Sequence, residues 1–268
     1  MHVIEQEPPE GGTVGDIRRV TGVRSPELDN TRTIEIYLPP SYRKSSRHFP
    51  VVYMHDGQNL FDARASFAGE WQVDETMERL AGEGLEAIVV AIPNMGKKRL
   101  DEYGPFADPL HGGGRGEAYL SFIVDTLKPR IDRRYRTKAG RDDTGIVGSS
   151  MGGLISLYAF LRHPRVFGFA GAMSPALWFA GRAALEFARE APRWAGRLYL
   201  DVGTEEGAKA VKDARTAARL LRRTAVRSRG HLLFVEEGGA RHEEAAWAAR
   251  FEYAIRFLLP RRRGDVTW

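Results

Sequence analysis

Short apolar runs of strand length alternate along the chain with longer segments of helical spacing, the order expected of βαβ units around a mostly parallel sheet. Arg18–Val23 and Thr33–Leu38 read as two early strands joined by a turn over Ser25–Asn30, an antiparallel opening pair. Pro50–His55 (PVVYMH) and Glu86–Pro93 (EAIVVAIP) are buried-strand runs, with helical spacing over Trp71–Leu80 between them. From Asn94 to Gly116 glycine, proline and charge dominate a stretch too long for a simple connector, the kind of loop that carries function. Helical spacing resumes over Glu117–Asp132, and Asp143–Val147 is a strand. A helix over Ser150–Arg162 is stopped at His163–Pro164, and Phe167–Met173 is the next strand. A helix over Arg182–Trp194, a strand over Leu198–Val202, a helix over Ala208–Val226, a strand over His231–Glu236 and a helix over His242–Leu259 complete the order. No internal repeat interrupts it, so one α/β domain is expected over residues 1–268, with a polar leader at 1–15 and a charged tail at 260–268.

Composition narrows the chemistry. A hydrophobic fraction of 43% against 28% charged residues is enough for a buried core without staples. The absence of cysteine removes disulfides, thiolate catalysis and Cys-based zinc sites together. A net charge of +5 invites a nucleic-acid reading, but the basic residues are interleaved with acidic ones and no nucleic-acid-binding signature accompanies them. The clearest clusters, Arg215, Arg219, Arg222 and Arg223 on a helix and Arg261, Arg262 and Arg263 near the end, read as a solvated face and a charged tail. Met1–Asp16 lacks the basic and apolar regions of a secretory signal, which points to the cytoplasm. No apolar run approaches the roughly 20 residues of a membrane span, so neither membrane nor nucleic acid is expected as a partner.

The candidate chemistry centres on Gly148–Ser149–Ser150–Met151–Gly152, a G-x-S-x-G pattern with a strand before it and a helix after it. That context is what a nucleophile elbow requires: a tight strand-to-helix turn with the serine at its tip and glycines where side chains would collide. Moving the frame by one residue loses the flanking glycines, so Ser150 rather than Ser149 is the candidate. The helix start aims backbone N–H groups at the site, and the N–H of Met151 is placed to hold a developing oxyanion. A structural serine in a glycine-rich turn is the bland alternative.

A serine hydroxyl needs a base. In a fold of this kind the partners follow in the order Ser, acid, His, with the histidine after the last strand. Of seven histidines, His242 alone sits there, behind Gly238–Gly239; His2, His48, His55 and His111 precede the nucleophile, His163 ends its helix and His231 opens a strand. The acid is expected after the preceding strand, where LYLDVGTEEG offers Glu206 first, Glu205 second and Asp201 third. It would orient the imidazole and stabilise its cation. Asp56–Gly57–Gln58–Asn59, after PVVYMH, is the natural source of a second oxyanion donor, the N–H of Gln58, with Gly57 permitting the turn.

With these residues in place the chain resembles the esterase family of α/β-hydrolases that includes enterochelin esterase-like proteins, feruloyl and acetyl-xylan esterases, S-formylglutathione hydrolase and the mycolyltransferase antigen 85. The resemblance is carried by YMHDGQNLFD at Tyr53–Asp62, GEWQVDE at Gly69–Glu75, GSSMGGLISLYAFLRHPRVFG at Gly148–Gly168, SPALWF at Ser174–Phe179, DVGTEEG at Asp201–Gly207 and GGARHEEAAW at Gly238–Trp247. It implies the α/β-hydrolase fold, a triad of Ser150, an acid in the GTEE segment and His242, and an oxyanion hole from Gln58 and Met151. Relatives often carry aspartate where this chain has Glu206. Trp71, Asn94, Tyr103 and Trp178 lie in or beside the motif loops and are the candidates for shaping a substrate pocket, with Arg99 and Glu102 in the same long loop.

The expectation is a serine esterase acting on a small-molecule carboxylic ester through an acyl-enzyme on Ser150, without metal or other cofactor. Two alternatives stay open at this point: an acyltransferase using the same acyl-enzyme, and a non-catalytic binding protein on the same fold.

Overall fold

The computed structural model describes residues 5–6 and 12–259. Three strands come first, β1 (Glu5–Gln6), β2 (Asp16–Ser25) and β3 (Asn30–Leu38), followed by β4 (Val51–Met54), α1 (Val73–Ala81) and β5 (Ile88–Ala91). The long segment after β5 holds a 3-10 turn at Gly96–Lys98, α2 (Arg99–Tyr103) and a small hairpin of β6 (Ala107–Asp108) and β7 (Gly112–Gly113). Then come α3 (Gly116–Ser121), α4 (Lys128–Arg134), β8 (Thr144–Ser149), α5 (Met151–Arg162), β9 (Phe169–Met173) and α6 (Phe179–Glu190). The chain closes with β10 (Trp194–Gly203), α7 (Ala208–Thr224), β11 (Ala225–Glu237) and α8 (Glu244–Leu258).

The main sheet has the order β1-β2-β3-β5-β4-β8-β9-β10-β11. The strands from β5 to β11 in that order run parallel, and β1, β2 and β3 add on antiparallel at one edge. This is the α/β-hydrolase arrangement. Register pairs Met54 with Ala91 and Val147, Ser149 with Met173, and Gly203 with Glu237, so the C-terminal ends of the parallel strands form one rim. Loops leaving that rim are where open α/β sheets build their sites.

The parallel strands are covered on both faces, which is why β4, β5, β8 and β9 are buried at every position. Successive side chains still point to opposite faces. Tyr53, Ile146, Ala172 and Leu200 pack against α5, α6 and α7, whereas Val52, Met54, Val147 and Tyr199 pack against α1 and α8. Each fully buried large apolar side chain contributes about 1.5–3 kcal/mol, and these two layers fix the spacing of the rim.

Several element bounds differ from the sequence expectation for identifiable reasons. The expected helix over Glu117–Asp132 is broken by a π-helical turn at Phe122–Leu127, and α4 restarts with Pro129 in its first turn, where a missing N–H costs least. The helix expected to reach Trp194 stops at Glu190, ahead of Pro192, and Trp194 opens β10. Residues 180–182 at the start of α6 are left-handed, with φ of 48°, 62° and 71°. The helix expected to reach Val226 ends at Thr224, because Ala225 pairs with Trp194 in the edge strand. Arg261, Arg262 and Arg263 lie outside the described residues, as does most of the expected leader; of the α7 cluster, Arg215 pairs with Glu236 at 2.6 Å. No helix among the described residues is long and apolar enough to cross a membrane.

Candidate active site

Ser150 sits between the last residue of β8 and the first of α5 with φ 54° and ψ −118°, a conformation costly for a residue with a Cβ. Packing holds it there. Its N–H donates to Met173 O at 3.0 Å, and its carbonyl accepts from the N–H groups of Leu154 (3.0 Å) and Ala176 (2.9 Å). The flanking glycines are needed sterically: a Cβ on Gly148 would lie 2.8 Å from His55 Cδ2, and one on Gly153 would lie 2.7 Å from Met173 O. His55 itself is buried, with Nδ1 2.8 Å from Tyr119 Oη, and burial pushes its pKa down to about 3, so it is a neutral packing residue.

His242 follows β11 on the turn into α8. Its Nε2 lies 2.9 Å from Ser150 Oγ, and its Nδ1 lies 2.8 Å from Glu206 Oε2. Glu206 ends a 3-10 turn after β10, and its other oxygen accepts the N–H of Gly203 (2.7 Å) and the hydroxyl of Ser174 (2.6 Å). Burial pushes its carboxyl up, but hydrogen bonds from His242, Ser174 and Gly203 outweigh burial and hold it below the usual carboxylate range. An ionised Glu206 only accepts, so Nδ1 of the neutral imidazole carries the hydrogen and Nε2 is free to accept from Ser150. The turn and the histidine loop are clamped together: Glu205 N–H donates to Ala240 O (3.0 Å), Gly239 N–H donates to Thr204 Oγ1 (2.8 Å), and a Cβ on Gly203 would overlap Ala240 O.

The other two carboxylates considered for the acid lie elsewhere. Glu205 is exposed. Asp201 is buried in β10 and engaged by Arg250 Nε (2.7 Å), the N–H of Ser174 (2.7 Å) and Tyr199 Oη (3.0 Å); burial pushes its carboxyl up despite the arginine.

Opposite the elbow, the chain leaving β4 turns sharply at Asp56, φ 52°, into a 3-10 turn over Gly57–Asn59. Gly57 N–H donates to Ile92 O at 2.9 Å, and a Cβ on Gly57 would lie 2.7 Å from the backbone of Ala91, so this turn lies flat on the end of β5. The same loop meets the start of α5, since a Cβ on Gly152 would lie 3.4 Å from Asp56 Oδ2. Gln58 and Met151 are thus on touching turns. Met151, first in α5, has an N–H without an intrahelical acceptor. Gln58 Oε1 accepts the N–H of Asn94 at 3.1 Å.

The residues considered for a pocket divide. Trp178 is 44% exposed, edge-on to His111 at 5.3 Å. Asn94 is half-buried and donates Nδ2 to Asp56 Oδ1 at 2.6 Å. Trp71 and Tyr103 depart from the expectation: both are buried and offer little surface to a ligand. Trp71 packs against Trp247 and Phe251 with tilted rings, and Tyr103 Oη accepts the N–H of Asp56 at 3.0 Å. Glu102, in the same loop, forms a buried pair with Arg32 at 3.0 Å. Ser174, Trp247 and Arg250 escaped the sequence reading as neighbours of the acid, although the first two lie within the SPALWF and GGARHEEAAW segments; nothing in the sequence marks Arg250. Carboxylate oxygens of Glu70, Asp74 and Glu75 come within 4.8 Å of one another at the start of α1.

The chain has relatives among known proteins. The chain is 28% identical over 257 residues to the uncharacterized protein YbbA of Bacillus subtilis, covering 91% of this chain and 99% of that one. It is 28% identical over 137 residues to the siderophore triacetylfusarinine C esterase of Aspergillus fumigatus, covering 48% of this chain and 45% of that one. The BES protein of Bacillus cereus shares the fold, with a TM-score of 0.72 at 20% identity, covering 96% of this chain and 98% of that one. A family model described as "Putative esterase" matches residues 25–258, and the chain belongs to that esterase family.

Proposed function

We propose that the protein is a serine hydrolase of small-molecule carboxylic esters, with Ser150, His242 and Glu206 as its triad. Membership of an esterase family supports ester hydrolysis. The observation that carries the mechanism is the unbroken hydrogen-bonded chain from Ser150 Oγ through both imidazole nitrogens to Glu206.

In this reading His242 Nε2 takes the hydroxyl proton as Ser150 Oγ attacks the ester carbonyl. Glu206 stabilises the imidazolium without taking the proton. The oxyanion is held by the N–H groups of Met151 and Gln58. Collapse expels the alcohol, protonated by His242, and leaves an acyl-enzyme. Water then gives its proton to His242, attacks the acyl carbon and releases the acid as Ser150 recovers its hydrogen. The imidazole side chain is 42% exposed, which supports access of water to this second step. The names of the related siderophore esterases suggest siderophore esters as the first natural substrates to try.

Fluorophosphonate labelling combined with p-nitrophenyl acetate turnover tests the proposal. Wild type is expected to label and to turn over, and Ser150→Ala to do neither while keeping its fold. A folded Ser150→Ala protein with wild-type turnover would overturn it.

A further inference from the structure

Ser174 follows the last residue of β9, is 2% exposed, and has a φ of 41°. Its backbone N–H is held by Asp201 Oδ1 at 2.7 Å. Its hydroxyl has three polar neighbours: Glu206 Oε1 at 2.6 Å, Trp247 Nε1 at 3.0 Å and Arg250 Nη2 at 3.0 Å. An indole N–H and a guanidinium can only donate. Both lone pairs of the hydroxyl are therefore taken, and its hydrogen has one destination, Glu206 Oε1.

The consequence passes along the site. Glu206 Oε1 already accepts the N–H of Gly203, so with Ser174 added Oε2 is left for His242 Nδ1. Arg250 is prevented from competing. It is buried against Asp201 at 2.7 Å, and its Nη2 stays 3.9 Å from Glu206 Oε1 while donating to Ser174. The guanidinium thus pairs with the acid at the long distance of 3.9 Å and makes no direct hydrogen bond to it; its hydrogen bond reaches the acid through a hydroxyl of fixed direction. Trp247, the other donor, also stands edge-on to the His242 ring with centroids 4.9 Å apart.

We propose that Ser174 is a positioning residue for ester cleavage. Its hydroxyl, aimed by Trp247 and Arg250, sets the Glu206 carboxylate and through it the tautomer and orientation of His242. The inference rests on the triad of Ser150, His242 and Glu206 proposed above.

The test compares Ser174→Ala, Glu206→Gln and the double variant with p-nitrophenyl acetate, and follows the low-field proton resonance of His242 Nδ1–H. Ser174→Ala is expected to lower kcat about tenfold, the scale of one hydrogen bond to a charged group, with KM within about twofold and the resonance displaced. The double variant should be no slower than Glu206→Gln, because the serine acts only through that carboxylate. Trp247→Phe, which keeps an aromatic side chain and loses the N–H donor, should lower kcat about threefold and displace the same resonance; it carries the test if Ser174→Ala does not fold. A slow Glu206→Gln variant beside a Ser174→Ala or Trp247→Phe protein with wild-type kcat and an unmoved resonance overturns the role of Ser174 alone. Wild-type kcat in Glu206→Gln overturns the triad and the Ser174 proposal together.

Discussion

The guanidinium of Arg99 closes a two-pronged ion pair on the carboxylate of Asp56, Nε to Oδ1 at 2.7 Å and Nη2 to Oδ2 at 2.8 Å. With Asn94 on the same carboxylate, the pair ties the loop after β5 to the turn that presents Gln58. Arg99→Met leaves a largely buried carboxylate with one neutral partner. It is expected to lower kcat by about tenfold or more and to reduce Tm, the cost of stranding the more buried member of a partly buried pair. Arg99→Lys keeps the charge but not the fork and should fall between the two. Steady-state kinetics and a thermal melt of the three proteins check this.

Gly57 gives a sharper test of the same loop. A Cβ there would lie within 2.8 Å of backbone atoms of Ala91 and Ile92, which cannot rotate aside. Gly57→Ala must lift the turn off β5 and carry the Gln58 N–H with it. Losing one oxyanion donor costs about 10²–10³ in kcat, so a fall of that order with little change in KM is expected. Gly238→Ala, where an added Cβ meets nothing within 4 Å, is the matched control and should remain near wild type in both constants.

Asp74 sets a pH dependence remote from the chemistry. Burial, reinforced by Glu75 beside it, pushes its pKa from the ordinary 3.8 up to about 8. The folded protein therefore keeps a proton that the unfolded chain has already released, and stability falls as pH climbs from about 4 to about 8, then levels. Asp74→Asn removes that dependence while its amide oxygen can still accept the N–H of Val14, now 2.7 Å from Asp74 Oδ2. Melting curves at pH 5 and pH 9 should show the variant gaining about 5 °C over wild type at the higher pH and little at the lower. Equal shifts at both values would contradict the assignment.

What the sequence discloses about this protein follows from how local each cause is. The turn from β8 into α5 is legible because its requirements, a buried strand, a glycine on each side and an apolar helix, lie within some 20 consecutive residues. His242 stands out because only one histidine follows the last strand. The choice among Asp201, Glu205 and Glu206 is less legible, since it depends on which side of β10 each residue faces when the 3-10 turn begins. Ser174, Trp247 and Arg250 gather from β9's end and α8, and their convergence exists only after α8 has packed on the sheet. Trp71 and Tyr103 illustrate the opposite failure: aromatic bulk near a motif announces burial as readily as a pocket wall. Pro192, in contrast, already marks why the helix before Trp194 ends early.

The clamp between the Thr204–Glu206 turn and the loop carrying His242 has a mechanical consequence. By chain order the imidazole hangs from β11, an edge strand of the sheet with a neighbour on one side only, where fraying meets less resistance than inside. By its attachments at Thr204 and Glu205 it is moored to the end of β10, an inner strand flanked on both sides. The base therefore inherits the steadiness of the interior, and loosening at the margin of the sheet leaves its spacing from the acid undisturbed.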